Sequence, residues 1–212
     1  MTRPAAGSAP DLAATRIGML GGTFDPPHLA HLALAAAART ALRLDRVIFV
    51  PAGQPWRKSD RQVTPAPVRL EMLRAAIEPF AWAEASTIEV DRDGPTYTAE
   101  TLEALVRPDE AWWFVLGADA LADMPAWHEP ARIIACARLA VARRPDVAGD
   151  LAPAALREAI PGVEECIDVL DMPLLEISAT DLRQRIRDGR STEFLLPAAV
   201  REVVDRLGLY RD

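Results

Sequence analysis

Short apolar runs alternate with longer alanine-rich or amphipathic stretches along the chain from Arg16 to Gly208. "RIGML" (16–20) is an apolar run closed by Gly21-Gly22, the pattern of a buried strand. From Leu29 to Leu42 the chain is alanine-rich with almost no β-branched residue, which predicts a helix. "RVIFVPA" predicts a second strand closed by Pro51, and "VRLEMLRAAIEPF" a helix after the polar loop "GQPWRKSDRQVTPAP". "STIEV" predicts a short strand, "DRDGPT" a turn and "YTAETLEALV" a helix. "AWWFVLG" reads as the next strand, leading into a helical stretch broken at Pro125. "RLAVARR" and "CIDVL" read as strands on either side of a weaker helix, "LAPAALREAI". "SATDLRQRIRDG" and "PAAVREVVDRLG" close the chain as helices.

Such alternation implies an α/β protein, a parallel sheet with helices on both faces. No internal repeat and no separating linker interrupts it, so residues 16–212 are expected to form a single domain behind a mostly disordered tail, residues 1–15. In open sheets of this class ligands bind beyond the carboxyl ends of the strands, near the point where strand order reverses. The stretch after the first strand, "GGTFDPPHLAHL", lies at that edge.

Composition narrows the field. Half of the 212 residues are apolar, yet no run approaches the ~18 that a membrane helix needs, and the tail has no signal-peptide core. Cys136 and Cys166 have no metal-site spacing, so buried thiols in a reducing cytosol are expected and the protein reads as cytoplasmic. A net charge of −7, scattered rather than in blocks, argues against a nucleic-acid binder. Of the 24 basic residues only Lys58 is a lysine, which singles it out.

Two of the chain's three histidines, His28 and His31, fall just after a Gly-Gly-Thr. Gly21 and Gly22 allow a sharp turn that brings N–H groups close to a ligand. The following helix offers unpaired N–H groups and a positive dipole end, and two imidazoles at i, i+3 can donate to phosphate oxygens. An ordinary turn and a surface or metal-binding histidine pair are the alternatives. Zinc lacks a third ligand, since only Asp25 is close by, and neither a Walker pattern nor G-x-G-x-x-G is present. Downstream, "EISATDLRQRIRDG" places Ser178, Thr180 and Arg183 at a helix start. This is either a capping box of Ser178 with Asp181 or a second anion site with a guanidinium.

"GGTFDPPHLAH" followed by "ISATDLR" resembles the nucleotidyltransferase superfamily with H-x-G-H and I-S-x-T-x-x-R motifs. "VPAGQPWRK", "DGPTYTAETL", "FVLGADAL…W" and the ending "LLPAAVREVVDRLGLY" are similar to bacterial nicotinate-nucleotide adenylyltransferases, in order over residues 16–210. The resemblance implies a Rossmann-like nucleotidyltransferase fold and adenylyl transfer from ATP to nicotinate mononucleotide, giving deamido-NAD and pyrophosphate. It implies that His28, His31 and Arg183 hold the ATP phosphates. By the same resemblance Gly21, Gly22, Thr23 and Phe24 line the backbone cradle, and Ser178 with Thr180 support the triphosphate. Asp119 lies near the adenosine ribose, while Lys58, Thr98 and Trp127 meet the mononucleotide. Magnesium is expected to ride on the triphosphate, with no metal held by the protein alone, and a homo-oligomer is compatible with the sequence. Read without the family, each has an ordinary alternative: Thr98 and Asp119 as helix caps, Trp127 as a packing aromatic and Lys58 as a solvated charge. Ala30 replaces the glycine of H-x-G-H, adding one methyl where the backbone approaches nucleotide. A phosphopantetheine adenylyltransferase-like enzyme and a catalytically weakened nucleotide-binding regulator are the rival readings.

Overall fold

The computed structural model of the chain describes residues 14–54, 63–143, 150–173 and 175–211. Six strands form one sheet in the order β3-β2-β1-β4-β5-β6. They are β1 (Thr15–Gly22), β2 (Arg46–Pro51), β3 (Ala83–Ala85), β4 (Glu110–Gly117), β5 (Arg138–Ala142) and β6 (Ile167–Leu170). The helices are α1 (Leu29–Leu42), α2 (Ala66–Ile77), α3 (Thr98–Leu105), α4 (Ala118–Asp123), α5 (Ala131–Cys136), α6 (Ala154–Ala159), α7 (Ala179–Arg187) and α8 (Ala198–Leu207).

The β1–β4, β4–β5 and β5–β6 pairs run parallel, with Ile17 opposite Trp112, Phe114 opposite Leu139 and Val141 opposite Val169. Strands covered on both faces need apolar residues at every position rather than at alternate ones. Trp112 through Leu116 of β4 and Val47 through Val50 of β2 are accordingly all buried. Strand order reverses between β1 and β4, whose carboxyl ends are Gly22 and Gly117. Gly21 and Gly22 stay in extended strand with no positive φ, so the sharp turn expected at them does not form there.

The predicted strand at "STIEV" does not form. The short β3 lies earlier, at Ala83–Ala85, and the chain leaves the sheet where the Ser86 N–H meets the Phe49 carbonyl at 2.9 Å. Ser86 Oγ then takes the Ile88 N–H at 3.3 Å, and the Asp91 N–H returns to the Thr87 carbonyl, so side chain and turn compete successfully with the ladder. Gly53 packs against this turn so closely that a Cβ there would lie 2.0 Å from the Glu89 carbonyl oxygen. Only glycine permits that approach.

The described backbone forms two compact units. One takes the described parts of Met1–Gly21, Leu34–Val47 and Tyr97–Leu174. In it α3 packs with α5, and a polar cluster sits toward the amino ends of the strands. There Arg138 makes a two-point pair with Asp168 (2.7 and 3.1 Å), which also accepts the Trp113 indole N–H at 2.8 Å. Cys136 and Cys166 are buried in this unit and not joined in a disulfide. The other unit takes Gly22–Ala33 and the described parts of Ile48–Thr96 and Leu175–Asp212. Its α2 packs with α8, through the buried Leu70, Met72 and Leu73 of α2 and Val200, Val203 and Val204 of α8. Among the described residues no helix is long and apolar enough to cross a membrane.

Candidate active site

His28 stands just before α1, one position outside the first helical turn in which the i, i+3 spacing puts it. Its carbonyl accepts from the His31 and Leu32 N–H groups at 3.0 and 3.4 Å, so it is the N-cap of α1. His31 Nδ1 reaches back to accept the His28 backbone N–H at 3.1 Å. That is the return arm of a capping box, made by imidazole in place of glutamate. With Nδ1 accepting, the ring proton of neutral His31 sits on Nε2, which becomes its donor nitrogen. The two imidazoles stack at 3.7 Å and 25°, and the buried Phe24 ring meets His31 edge-on at 4.9 Å. Phe24 takes a left-handed backbone, φ 50°, and lies against Gly22, where a Cβ would come within 3.2 Å of its ring.

Fewer N–H groups are open at the start of α1 than the sequence predicts. The Leu29 N–H donates to the Leu195 carbonyl at 3.1 Å, and those of His31 and Leu32 return to His28. Of the first four helical N–H groups, Ala30 alone has no acceptor among the described residues.

Burial lowers the pKa of His28 to about 4, and its Nδ1 is enclosed without a hydrogen-bond partner. The ring is therefore neutral near pH 7 and can serve as a donor but not as a fixed charge. An unfolded histidine binds a proton below pH ~6.5, whereas the folded one resists it until about pH 4. Stability is thus expected to be full above pH ~6.5 and to fall by about 3 kcal/mol as the pH drops towards 4. Denaturant unfolding of wild type and His28→Gln across that range checks this. The variant should lose most of the slope, and an unchanged slope refutes the assignment.

Arg183, in the second turn of α7, belongs to the same unit as the histidines. Its Nη1 donates to the Asp25 main-chain carbonyl at 2.6 Å and its Nη2 to Thr180 Oγ1 at 3.1 Å. Both donors are held at a fixed angle by groups 158 and 3 positions away in sequence. Ser178 is the N-cap of α7 and its Oγ accepts the Asp181 N–H at 3.1 Å, one arm of the expected capping box, while the Asp181 carboxylate takes the Arg185 Nε–H at 2.6 Å. Thr23, Phe24, His28, His31, Ser178, Thr180 and Arg183 thus lie in one unit, together with Gly22.

Gly21, Thr98, Asp119 and Trp127 lie in the other. The N-cap of α3 is Tyr97, not Thr98, and no side chain caps that helix. Asp119 likewise falls inside the first turn of α4, whose N-cap is Gly117. Trp127 follows a 3-10 turn (Met124–Ala126), half-buried, with its ring edge-on to Phe114 at 5.9 Å. Its indole N–H is enclosed without an acceptor. The Tyr97 and His128 rings meet at 4.2 Å, which sets the turn of Thr98 beside that of Trp127. Lys58 lies outside the described residues.

A family model described as cytidylyltransferase-like matches residues 19–185. A "Probable nicotinate-nucleotide adenylyltransferase" of Roseiflexus sp. is 46% identical over 92% of this chain and 98% of that relative. One from Thermomicrobium roseum, with the same name, is 41% identical over 93% of this chain and 92% of the relative. The chain belongs to the nicotinate-nucleotide adenylyltransferase family. A nicotinic acid mononucleotide adenylyltransferase of Plasmodium falciparum, solved in complex with NaAD, shares the fold at a TM-score of 0.72. It is 18% identical, over 92% of this chain and 97% of that one.

In this family member Ala30 sits in ordinary helical backbone in the first turn of α1, so its methyl strains nothing locally. Sequence reading missed two residues that the structure sets next to the motif loop, Arg69 and Tyr210. Arg69 is 1% exposed and donates from Nη1 to the Thr23 carbonyl at 2.7 Å, and Tyr210 donates to the Asp25 carboxylate at 2.7 Å. The signal available for Arg69 was its place on the apolar stripe of α2, three and four residues before Met72 and Leu73. Among the described residues no group of three or more His, Cys, Asp or Glu could hold a metal ion.

Proposed function

We infer that this adenylyltransferase joins ATP to nicotinate mononucleotide, releasing pyrophosphate and forming deamido-NAD, a step of NAD synthesis. The observation that carries the reading is the stacked His28–His31 pair in one unit with a guanidinium gripped at two points, within a chain that matches these relatives over nearly all its length. The mononucleotide phosphate oxygen attacks the α-phosphorus in line, the bond to the β-phosphate bridging oxygen breaks, and pyrophosphate carries away the electron pair. Such a reaction asks the protein for positioning and charge stabilisation rather than a nucleophile.

In this scheme His31, through Nε2–H, and neutral His28 donate hydrogen bonds to the triphosphate, and Arg183 supplies the positive charge. The backbone of Gly21, Gly22, Thr23 and Phe24 lines the phosphates, and the Ala30 N–H is the helix donor that remains for them. Thr180 orients Arg183, and Ser178 shapes the helix start beside it. Asp119 meets the adenosine ribose, Thr98 and Trp127 take the nicotinate, and Lys58 faces the mononucleotide phosphate. A divalent cation, magnesium by preference, arrives with the triphosphate; the described residues offer it no cage of their own.

Pyrophosphate release on mixing with ATP and nicotinate mononucleotide, its amide, or phosphopantetheine tests the reading. Turnover with the first acceptor supports it, and turnover only with phosphopantetheine, or with none, overturns it.

Arg183→Lys is expected not to restore function. Lysine carries one nitrogen, which cannot meet the Asp25 carbonyl and Thr180 together and still face a phosphate in a fixed plane. Turnover should fall at least tenfold with a raised KM for ATP, and a fully active lysine variant returns α7 to a capping role alone.

A further inference from the structure

Asp25 lies within the motif loop, 1% exposed, and every oxygen it carries has a partner. Oδ1 accepts from the Tyr210 hydroxyl at 2.7 Å, Oδ2 from the Thr64 N–H at 3.4 Å, and the main-chain oxygen from Arg183 Nη1 at 2.6 Å. Two residues back, the Thr23 carbonyl is held by Arg69, whose other donors bind the carbonyls of Thr64 (2.7 Å), Ala52 (2.6 Å) and Gly53 (2.9 Å). A buried guanidinium thus fastens the turns after β1 and β2 to the start of α2. Burial pulls its pKa down, while the charge of Asp25 and the fields of Tyr210 and Glu89 oppose that.

Tyr210 reaches Asp25 by an unusual backbone route. Gly208 ends α8 in the left-handed region, φ 62°, and Tyr210 returns to it, φ 61°. A left-handed tyrosine costs free energy that its contacts must repay, so its placement is specified rather than incidental. Burial, and then the bond to Asp25, push its hydroxyl ionisation far above the ordinary range, so it remains a donor.

We propose that Tyr210 is a positioning residue for adenylyl transfer. Together with Arg69 it locks Asp25, and the Asp25 carbonyl in turn fixes the guanidinium of Arg183. The segment that follows the last helix is thereby part of the phosphate-binding machinery, acting through Asp25, to which the Tyr210 hydroxyl donates a hydrogen bond. Assignment of Arg183 to phosphate rests on the proposed function above. The link from Tyr210 through Asp25 to Arg183 is independent of which mononucleotide accepts the adenylyl group.

A double-mutant cycle separates this from a role in stability alone. Tyr210→Phe keeps the ring and removes only the hydroxyl. It is expected to weaken ATP binding, measured by calorimetry without acceptor, and turnover by about tenfold each, the scale of one hydrogen bond to a charged group. KM for the mononucleotide should stay near the wild-type value. In an Arg183→Lys background the same substitution should cost nothing further. Asp25→Asn, which keeps the main-chain carbonyl, serves as the second variant and should be non-additive with Tyr210→Phe. Fully additive losses, or a lowered melting temperature with normal ATP affinity and turnover, overturn the proposal. Should wild type release no pyrophosphate with nicotinate mononucleotide, the functional reading fails, while the ATP-binding cycle still decides the role of Tyr210.

Discussion

Replacing His31 by alanine is expected to lower the rate of pyrophosphate release by about a hundredfold or more, the scale of losing one preorganised donor aimed at developing charge. His31 loses three things at once in that variant. The Nε2 donor disappears, the capping contact to the His28 N–H at 3.1 Å is gone, and the stacked neighbour of His28 is removed. His28→Ala should cost a similar factor in turnover but less in stability, because it also removes a buried nitrogen that has no partner. ATP affinity should change far less than turnover in both. Initial rates at saturating substrates, with calorimetric ATP titration alongside, distinguish the two effects. If both variants turn over at a near-normal rate, the pair is structural and has no part in charge stabilisation.

What the sequence disclosed about this site followed the range of the forces involved. The closeness of His28 and His31 was legible because three residues of separation bring them together at a helix start, although His28 stands at the N-cap and not inside the first turn. The capping contact of Ser178 was legible for the same reason. Helix α1 matched its alanine-rich stretch end to end, since propensity and the flanking Pro26-Pro27 pointed the same way. "STIEV" failed because β-branched residues describe what a strand would bury and not where the ladder stops. Ser86, a short hydroxyl able to satisfy the backbone locally, decided that.

Arg69 was the harder case. Its partners Thr23, Ala52 and Gly53 lie 46, 17 and 16 positions away, and nothing local announces them. An arginine on the buried stripe of an amphipathic helix is still a physical contradiction, because a charge seldom stays buried without partners. That contradiction marks it as the hub of a network. The available N–H groups at the start of α1 were overestimated for a similar reason, as the Leu195 carbonyl that takes one of them is 166 positions further on.

The acid mononucleotide is expected to be preferred over the amide by about a hundredfold in kcat/KM. Tyr97 caps α3 with extended backbone and no side-chain cap bond, and the Thr98 and Ala99 N–H groups lie too early in the helix to have an acceptor within it. A helix start favours an anion by roughly 0.3–1 kcal/mol when exposed and by more when partly buried. A carboxylate there gains charge-assisted hydrogen bonds, whereas the NH₂ of a carboxamide turns a donor toward donors. Two such contacts, each worth about 1.4 kcal/mol, give the factor. In the proposed pocket Trp127 would supply the aromatic face; its ring is braced edge-on by Phe114 and its turn is held beside that of Thr98 through the Tyr97–His128 contact. Trp127→Ala should therefore raise KM for the mononucleotide at least tenfold and leave KM for ATP nearly unchanged. Steady-state kinetics with both acceptors decide the matter. Equal efficiency with acid and amide removes Thr98 and Trp127 from the proposed acceptor pocket, yet leaves the role proposed for His28, His31 and Arg183 intact, because that role concerns the triphosphate, which both reactions share.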